Sequence, residues 1–299
     1  MTHKEIVMSN YNSDSSYANH SIRTKKRIRA SLQYFFAALI TIIMIFPLYW
    51  MVISSFKTTE EILRTVPTFW PTTFQLESYS AVFTQFTMWR FILNTLICTV
   101  SCTLLQLVIG VLAAYAFSKG EFPGRDIVFV VILGALMVPI QVTFIPTYIL
   151  VARLNWINTF AGLIVPEAAS AYFIFMLRQN FKAVDESYID AGRVDGMGRL
   201  GIIRHVLVPM CKPTVITVTI IAFINGWNSY FWPKMVTTRN DYRTVSIALK
   251  EISSSFAGLE FMNFNKIMAA SVVTIIPVVI LFLLCQRYIL TGFSKAAMK

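Results

Sequence analysis

An all-α integral membrane protein with six transmembrane helices and both termini cytoplasmic is what this sequence predicts, and three observations predict it. Of 299 residues, 56% are apolar and only 14% are Asp, Glu, Lys or Arg, whereas soluble domains carry about a quarter charged residues. The apolar residues are gathered into blocks: charges are absent from 30–56, 91–118, 127–152, 213–233 and 267–286, and Glu167 is the one charge in 154–177. Each block reaches the roughly 20 residues that a helix rising 1.5 Å per residue needs to cross about 30 Å of hydrocarbon. Basic residues supply the third observation. With the N-terminus inside, the inner segments hold 17 Lys and Arg and the outer ones 9, the asymmetry that orients membrane proteins.

Taken in order, residues 1–30 open with a polar tract (Ser9, Asn10, Asn12, Ser13, Ser15, Ser16, Asn19) and turn basic at Arg23, Lys25, Lys26, Arg27 and Arg29. Too few apolar side chains are present to pack, so a disordered cytoplasmic tail is expected. The first block starts too late and runs too long for the apolar region of a secretory leader, and it should stay as an anchor. Residues 31–299 then form one membrane domain. The first outer connection, about 57–90, sets Pro67, Trp70 and Pro71 among aromatics, as suits a strip lying along the interface. Residues 119–126 make a short inner turn, and about 178–205 a longer inner loop. The last outer loop, about 234–266, carries mixed charges (Asp241, Arg243, Lys250, Glu251, Glu260) and reads either as a structured surface for a soluble partner or as a solvated connector.

The excess of 26 Lys and Arg over 15 Asp and Glu lies mainly between spans, so it orients the chain and gives no ground for nucleic-acid binding. Cys98, Cys102, Cys211 and Cys285 lie in or beside apolar blocks without CxxC spacing. They read as small buried hydrophobes, with no metal or disulfide framework implied.

The inner loop is too polar to span and too patterned to be a linker. Glu186–Val194 is a short helix candidate with acidic residues in its first turn, where the helix dipole favours them. Asp195-Gly196 supplies a turn, because Gly tolerates the left-handed conformation that ends helices. A second helical stretch, Met197 to Val208, leads to Pro209 and Pro213. The physical object is a helix, a glycine turn and a helix held against the inner face of the membrane.

Asp190-Ala191-Gly192, three residues, Gly196, nine residues, then Val206-Leu207-Val208-Pro209 resembles the cytoplasmic signature of the permease subunits of binding-protein-dependent ABC importers. That signature reads Glu-Ala-Ala, three residues, Gly, nine residues, Ile-x-Leu-Pro. Every spacing is kept. Asp190, Gly192, Val206 and Val208 depart from the pattern, and Gly192 inside a helix should cost up to about 1 kcal/mol relative to Ala. The resemblance looks closest to the carbohydrate-uptake branch that includes the maltose and glycerol-3-phosphate permeases. Carrying it are Phe46-Pro47-Leu48-Tyr49, Trp89-Arg90-Phe91 with Asn94-Thr95, the run from Asn225 to Pro233, and Gln286-Arg287-Tyr288 followed by Gly292.

The resemblance implies a multi-pass subunit of the bacterial cytoplasmic membrane, surrounded by lipid. It would pair with a second, related permease, with two cytoplasmic ATPase subunits and with an extracytoplasmic solute-binding protein. The ATPase-coupling residues would be Asp190, Ala191, Gly192, Asp195, Gly196 and Pro209. No G-x-x-x-x-G-K-[ST] or HExxH sequence is present, so the chain is expected to be no enzyme and to hold no cofactor, ATP and Mg²⁺ belonging to the partner ATPase.

Several polar groups in the spans are candidates for the translocation path. Glu167, after Pro166, is the only carboxylate deep in a span, and such a group marks either a pathway or a structural hydrogen bond to a neighbouring helix. Gln141, Asn225 and Asn228, with Trp227 and Tyr230, can offer the amides and aromatic faces that sugars need, or can join helices at the interface. His205 has no second ligand at metal spacing and reads as an interfacial side chain. Two other functions compete. An ion-coupled secondary transporter would need its own relay and often shows inverted repeats, and a membrane enzyme would need a catalytic cluster. Within the leading reading, glycerol phosphate is the alternative to a sugar as the solute.

Overall fold

The computed structural model describes residues 3–85, 87–255 and 264–297, and among them every regular element is helical. Helix α1 (His3–Ser55) carries the first span as Arg29–Ser55. It begins well before that span, through the segment expected to be an unfolded tail. No Gly or Pro lies between His3 and Phe46, so a helix fixed by the apolar stretch meets no breaker as it extends outward. Short helices α2 (Thr59–Ile62) and α3 (Glu77–Thr84) occupy the outer connection, and α4 (Met88–Lys119) is the second span.

Three of the predicted blocks are not single helices. Block 127–152 divides into α5 (Arg125–Ala135) and α6 (Ile140–Arg153), bent by 100°. Pro139 causes the break: its φ of −59° and ψ of 129° turn the chain, and a residue preceding proline is pushed out of the helical region. Block 154–177 divides into α7 (Phe160–Ile164), prolonged by a 3₁₀ turn Val165–Glu167 that holds Pro166, and α8 (Ala171–Lys182), with a bend of 43°. Next come α9 (Glu186–Val194), α10 (Arg199–Ile202), a π-helical turn Ile203–Leu207 and α11 (Val208–Met210). An 88° bend at Cys211 leads into α12 (Lys212–Trp227), the fifth span. The rest of block 213–233 leaves that helix at Asn228 and re-forms as α13 (Phe231–Val236). Helix α14 (Val245–Ser255) follows, and α15 (Phe264–Ala297) contains the sixth span. Three uninterrupted helices and three bent pairs thus make up to six spans.

Helix α4 is the hub. In its C-terminal half, Val111 and Ala114 pack with Phe173, Leu177 and Phe181 of α8, Ile189 of α9, Leu207 of the π turn and Val218 of α12. Nearer its other end, Met88 and Phe91 pack with Trp227, with Val245 and Ile252 of α14, and with Ala269 and Ala270 of α15. Gly226 lets α12 approach α4 closely, since a Cβ there would stand 3.3 Å from the Thr99 methyl carbon, the small-residue contact on which helix packing in lipid relies. The apolar side chains of α1 remain largely exposed within this chain.

Residues 256–263 of the last outer loop and Lys299 lie outside the described residues, as do the side chains of the first 28 residues and those of Arg287, Tyr288 and Lys295.

Candidate functional site

A cleft of about 600 Å³ opens where α4, the α7–α8 break and the α12–α13 break face one another. Four of the six candidate path residues line it: Glu167, Asn225, Asn228 and Tyr230. Helix breaks put them there, because each interruption turns polar side chains and main chain toward a cavity, the setting in which irregular backbone is tolerated at membrane depth. Glu167 closes the 3₁₀ turn after Pro166, and the Ser170 hydroxyl accepts from the Phe173 N–H at 3.4 Å to start α8 beyond it. Asn228 ends α12, its side-chain amide donating to the Ile224 carbonyl at 3.0 Å.

The other two candidates lie elsewhere. Trp227 is 1% exposed, its ring stacked on Phe223 and its indole N–H donating to the Thr274 carbonyl at 3.2 Å. It belongs to the core against α15, because one residue of helical rotation separates it from the cleft-facing Gly226 and Asn228. Gln141 is exposed and is not among the residues lining the cleft, whereas Ile140 and Phe144 of the same helix are.

Gln106 escaped the sequence reading. Its side-chain N–H donates to the Glu167 main-chain oxygen at 2.6 Å and fixes the 3₁₀ turn against α4. The signal was present, since Gln106 is the only amide deep in the 91–118 block and an intramembrane amide needs a partner.

Between α8 and α12 the predicted helix, turn and helix are all found. Asp185 caps α9, accepting from the Ser187 N–H at 2.9 Å, and the hydrogen bonds from Ser187 hold its carboxyl below the usual range. Gly196 has φ +78°, the left-handed conformation that its position after the helix requires. The Met197 N–H closes the turn on the Gly192 carbonyl at 2.9 Å. Asp190, Ala191 and Asp195 are exposed, with Asp190 paired to Arg193 at 2.8 Å. Gly192 is buried instead, facing α10 and the π turn. Pro209, with no N–H to bond, follows the π turn in α11. His205 is exposed and its ring lies 3.1 Å from the Gly201 carbonyl.

A Cβ on Gly192 would stand 3.6–3.8 Å from Met197, Ile202 and Val206, ordinary contact. Gly192→Ala is therefore expected to be accepted and to raise stability by up to about 1 kcal/mol through helix propensity. Thermal unfolding in detergent checks this; a fall in the midpoint would show that the turn needs glycine there.

Two buried cations tie this segment to the spans, and sequence reading missed both. Lys119, at the end of α4, has a side chain only 3% exposed and donates to the Val184 carbonyl at 2.7 Å and to Glu186 at 3.1 Å. Arg178 of α8 donates to the Phe117 carbonyl at 3.0 Å, lies 3.8 Å over the Phe129 ring and meets Asp126 at 3.6 Å. In sequence each is one more basic residue at the end of an apolar block. The exposed apolar side chains Tyr188, Val194 and Leu200, the latter two 87% and 71% exposed, also stand out around α9.

The described part of the loop between α12 and α15 is structured. Asn94 donates to the carbonyls of Asp241 and Arg243 at 2.8 and 3.1 Å, Thr95 accepts from the Val245 N–H at 2.8 Å, and Arg90 pairs with Asp241 at 2.9 Å. Arg243 pairs with Glu251 at 2.6 Å. The Trp89-Arg90-Phe91 and Asn94-Thr95 motif thus holds that loop in place. In the first outer connection, Lys57 sits 4.4 Å over the Trp50 ring and Glu61 accepts from the Thr72 N–H at 3.1 Å, both buried. Burial alone pushes the Glu61 carboxyl up, but hydrogen bonds from Thr68 and Thr72 outweigh it and hold the group low. Among the described residues no group of three His, Cys, Asp or Glu is placed to hold a metal ion.

Residues 106–295 match a family model described as the binding-protein-dependent transport system inner membrane component. The arabinooligosaccharides transport system permease protein AraQ of Halalkalibacterium halodurans is 29% identical, the match covering 88% of this chain and 94% of that one. The lactose transport system permease protein LacG of Rhizobium radiobacter is 30% identical across 90% and 96% of the two chains. The sn-glycerol-3-phosphate transport system permease protein UgpE of Escherichia coli is 30% identical across 84% and 90%. The fold is similar to that of a bacterial ABC transporter involved in the import of the acidic polysaccharide alginate, with a TM-score of 0.78 at 24% identity over 88% of this chain and 97% of that one. A second such structure, with alginate pentasaccharide-bound periplasmic protein, matches at a TM-score of 0.59 and 15% identity over 88% and 96%.

Proposed function

The chain belongs to the inner-membrane components of binding-protein-dependent transport systems, and from that premise we propose that it forms one half of the path by which a sugar or sugar-like solute is imported, driven by ATPase subunits bound inside. The observation that carries this is continuity of packing. Phe173 and Ala222 line the cleft and belong to the same buried cluster as Ile189 of α9 and Leu207 of the π turn. A displacement of α9 is passed to the cleft walls through close-packed side chains, which deform as bodies and not as liquid.

The inner segment has the form of a receptor for force. Tyr188, Val194 and Leu200 are exposed apolar side chains of α9 and α10, the same segment that exposes Asp190 and Ala191, and a groove on an ATPase subunit would cover them. Lys119 and Arg178 fasten the same segment to α4 and α8. ATP and Mg²⁺ belong to that partner in this reading, a second related permease completes the path, and the last outer loop, about 234–266, is the candidate contact for a solute-binding protein. Nucleotide can bias the cleft only if the contact at α9 has two arrangements of different affinity.

The excess of basic residues in 1–30, 119–126, 178–212 and after 286 supports a topology with both termini inside. A reporter that works only in the cytoplasm is expected to be active after Lys299, and one inserted near Gly258 should be active only if it works outside. The opposite pattern would reverse the topology.

Gly196 tests the function itself. Open space surrounds the position of its Cβ, so resistance to a side chain comes from the backbone alone, about 1–2 kcal/mol for a non-glycine residue. Asp tolerates this conformation better than a β-branched residue does, so Gly196→Val should uncouple more completely than Gly196→Asp. Normal insertion is expected with a fivefold or greater loss of ATP-driven uptake for Gly196→Val. Unimpaired uptake would remove the turn from the mechanism.

A further inference from the structure

The cleft is sided in charge. Glu167 is the one ionisable acid or base in its lining apart from the Cys102 thiol and the Tyr230 phenol; no Lys, Arg or His lines it. The other polar groups are neutral, notably the amides of Gln106, Asn225 and Asn228, and aromatic rings such as Phe231 stand beside them. No ion pair or side-chain hydrogen bond engages the Glu167 carboxylate among the described residues. Its main chain is the part that is held, by Gln106 at 2.6 Å, which leaves the carboxylate oxygens for the cleft.

We propose that this half of the path admits neutral, hydroxyl-rich solutes and turns away anions, with Glu167 as the residue that discriminates. The inference rests on the permease reading above and narrows its substrate class. A carboxylate accepts hydrogen bonds from sugar hydroxyls with charge assistance, amides can donate or accept as the hydroxyl pattern requires, and rings offer apolar faces to sugar C–H groups. Whenever the Glu167 carboxyl is ionised, an anionic solute would meet a like charge with no cation in this lining to compensate it. Phosphate- and uronate-bearing solutes, the chemistry named for two of the proteins this chain resembles, are thereby disfavoured.

The test uses the complete transporter in proteoliposomes. In a background lacking the four native cysteines, Asn225→Cys is labelled with a cationic and an anionic methanethiosulfonate of equal size, in the presence of Glu167 and of Glu167→Gln. Gln is nearly isosteric, so folding should be preserved, and Glu167→Lys is carried alongside. The cationic reagent is expected to react at least tenfold faster than the anionic one with Glu167, within threefold of it with Gln, and more slowly with Lys. In the unlabelled transporter, glycerol 3-phosphate should enter at least tenfold more slowly than a neutral oligosaccharide delivered by the same binding protein. An unchanged reagent ratio across the three variants, or equal uptake of the two solutes, would overturn the proposal. Failure of the loaded binding protein to stimulate ATP hydrolysis would strike the permease reading instead, since the reagent ratio requires only the inserted chain.

Discussion

Lys119→Met is expected to abolish the link between ATP hydrolysis and transport while leaving the protein in the membrane. The side chain is 3% exposed and its ammonium donates to the Val184 carbonyl at 2.7 Å. Methionine fills the same volume but offers no donor, so a carbonyl at the junction of α8 and α9 loses a charge-assisted bond worth about 1.5–3 kcal/mol. That junction is where α9 meets the end of α4. Binding-protein-stimulated ATP hydrolysis and uptake should both lose their dependence on each other, with uptake down tenfold or more. Glu186→Gln makes the control: its side chain is 60% exposed, where an ion pair contributes little, and activity should stay within twofold. If the two variants behave alike, the bond to Val184 is not what holds the junction.

Trp227→Ala should cost about 3–5 kcal/mol of stability, the range for truncating a buried aromatic. The side chain is 1% exposed, stacked on Phe223 with ring centroids 5.9 Å apart and hydrogen-bonded to Thr274. Loss of folded material and a large drop in the thermal midpoint are expected. Trp227→Phe keeps the stacking and loses mainly the indole bond, about 1 kcal/mol. A variant that folded normally but showed a raised KM for uptake would instead put Trp227 in the path.

Much of this was legible before any coordinates. Charge-free blocks located the spans, because burial in hydrocarbon leaves a compositional trace that does not depend on tertiary contacts. The helix, turn and helix around Gly196 was legible for a different reason: its determinants are local, a capping Asp185, a left-handed glycine and a terminal proline. Pro209 and Pro213 made a kink at the start of span five legible, whereas the bend at Pro139 was not, since proline is accepted inside some membrane helices and not others, and α1 keeps Pro47 within it. The cleft was half legible. Glu167 and the two asparagines announce themselves as polar groups in apolar surroundings, but which face of α12 meets the cavity is set by packing, and that separated Asn225 and Asn228 from Trp227. Lys119 and Arg178 were invisible because their partners, Val184 and Phe117, are main-chain carbonyls some 60 residues away, and a carbonyl has no letter in the sequence.

The central claim is that this chain converts work done at α9 into opening of the cleft, and one measurement tests it most directly. Proteoliposomes are made with this chain, the proposed partner permease and the proposed ATPase subunits, and ATP hydrolysis is followed with no binding protein, with empty binding protein and with solute-loaded binding protein. Hydrolysis is expected to rise only with the loaded form, with uptake rising in step, and both responses should vanish with Gly196→Val. Uptake driven by an ion gradient in vesicles containing this chain alone would contradict the account.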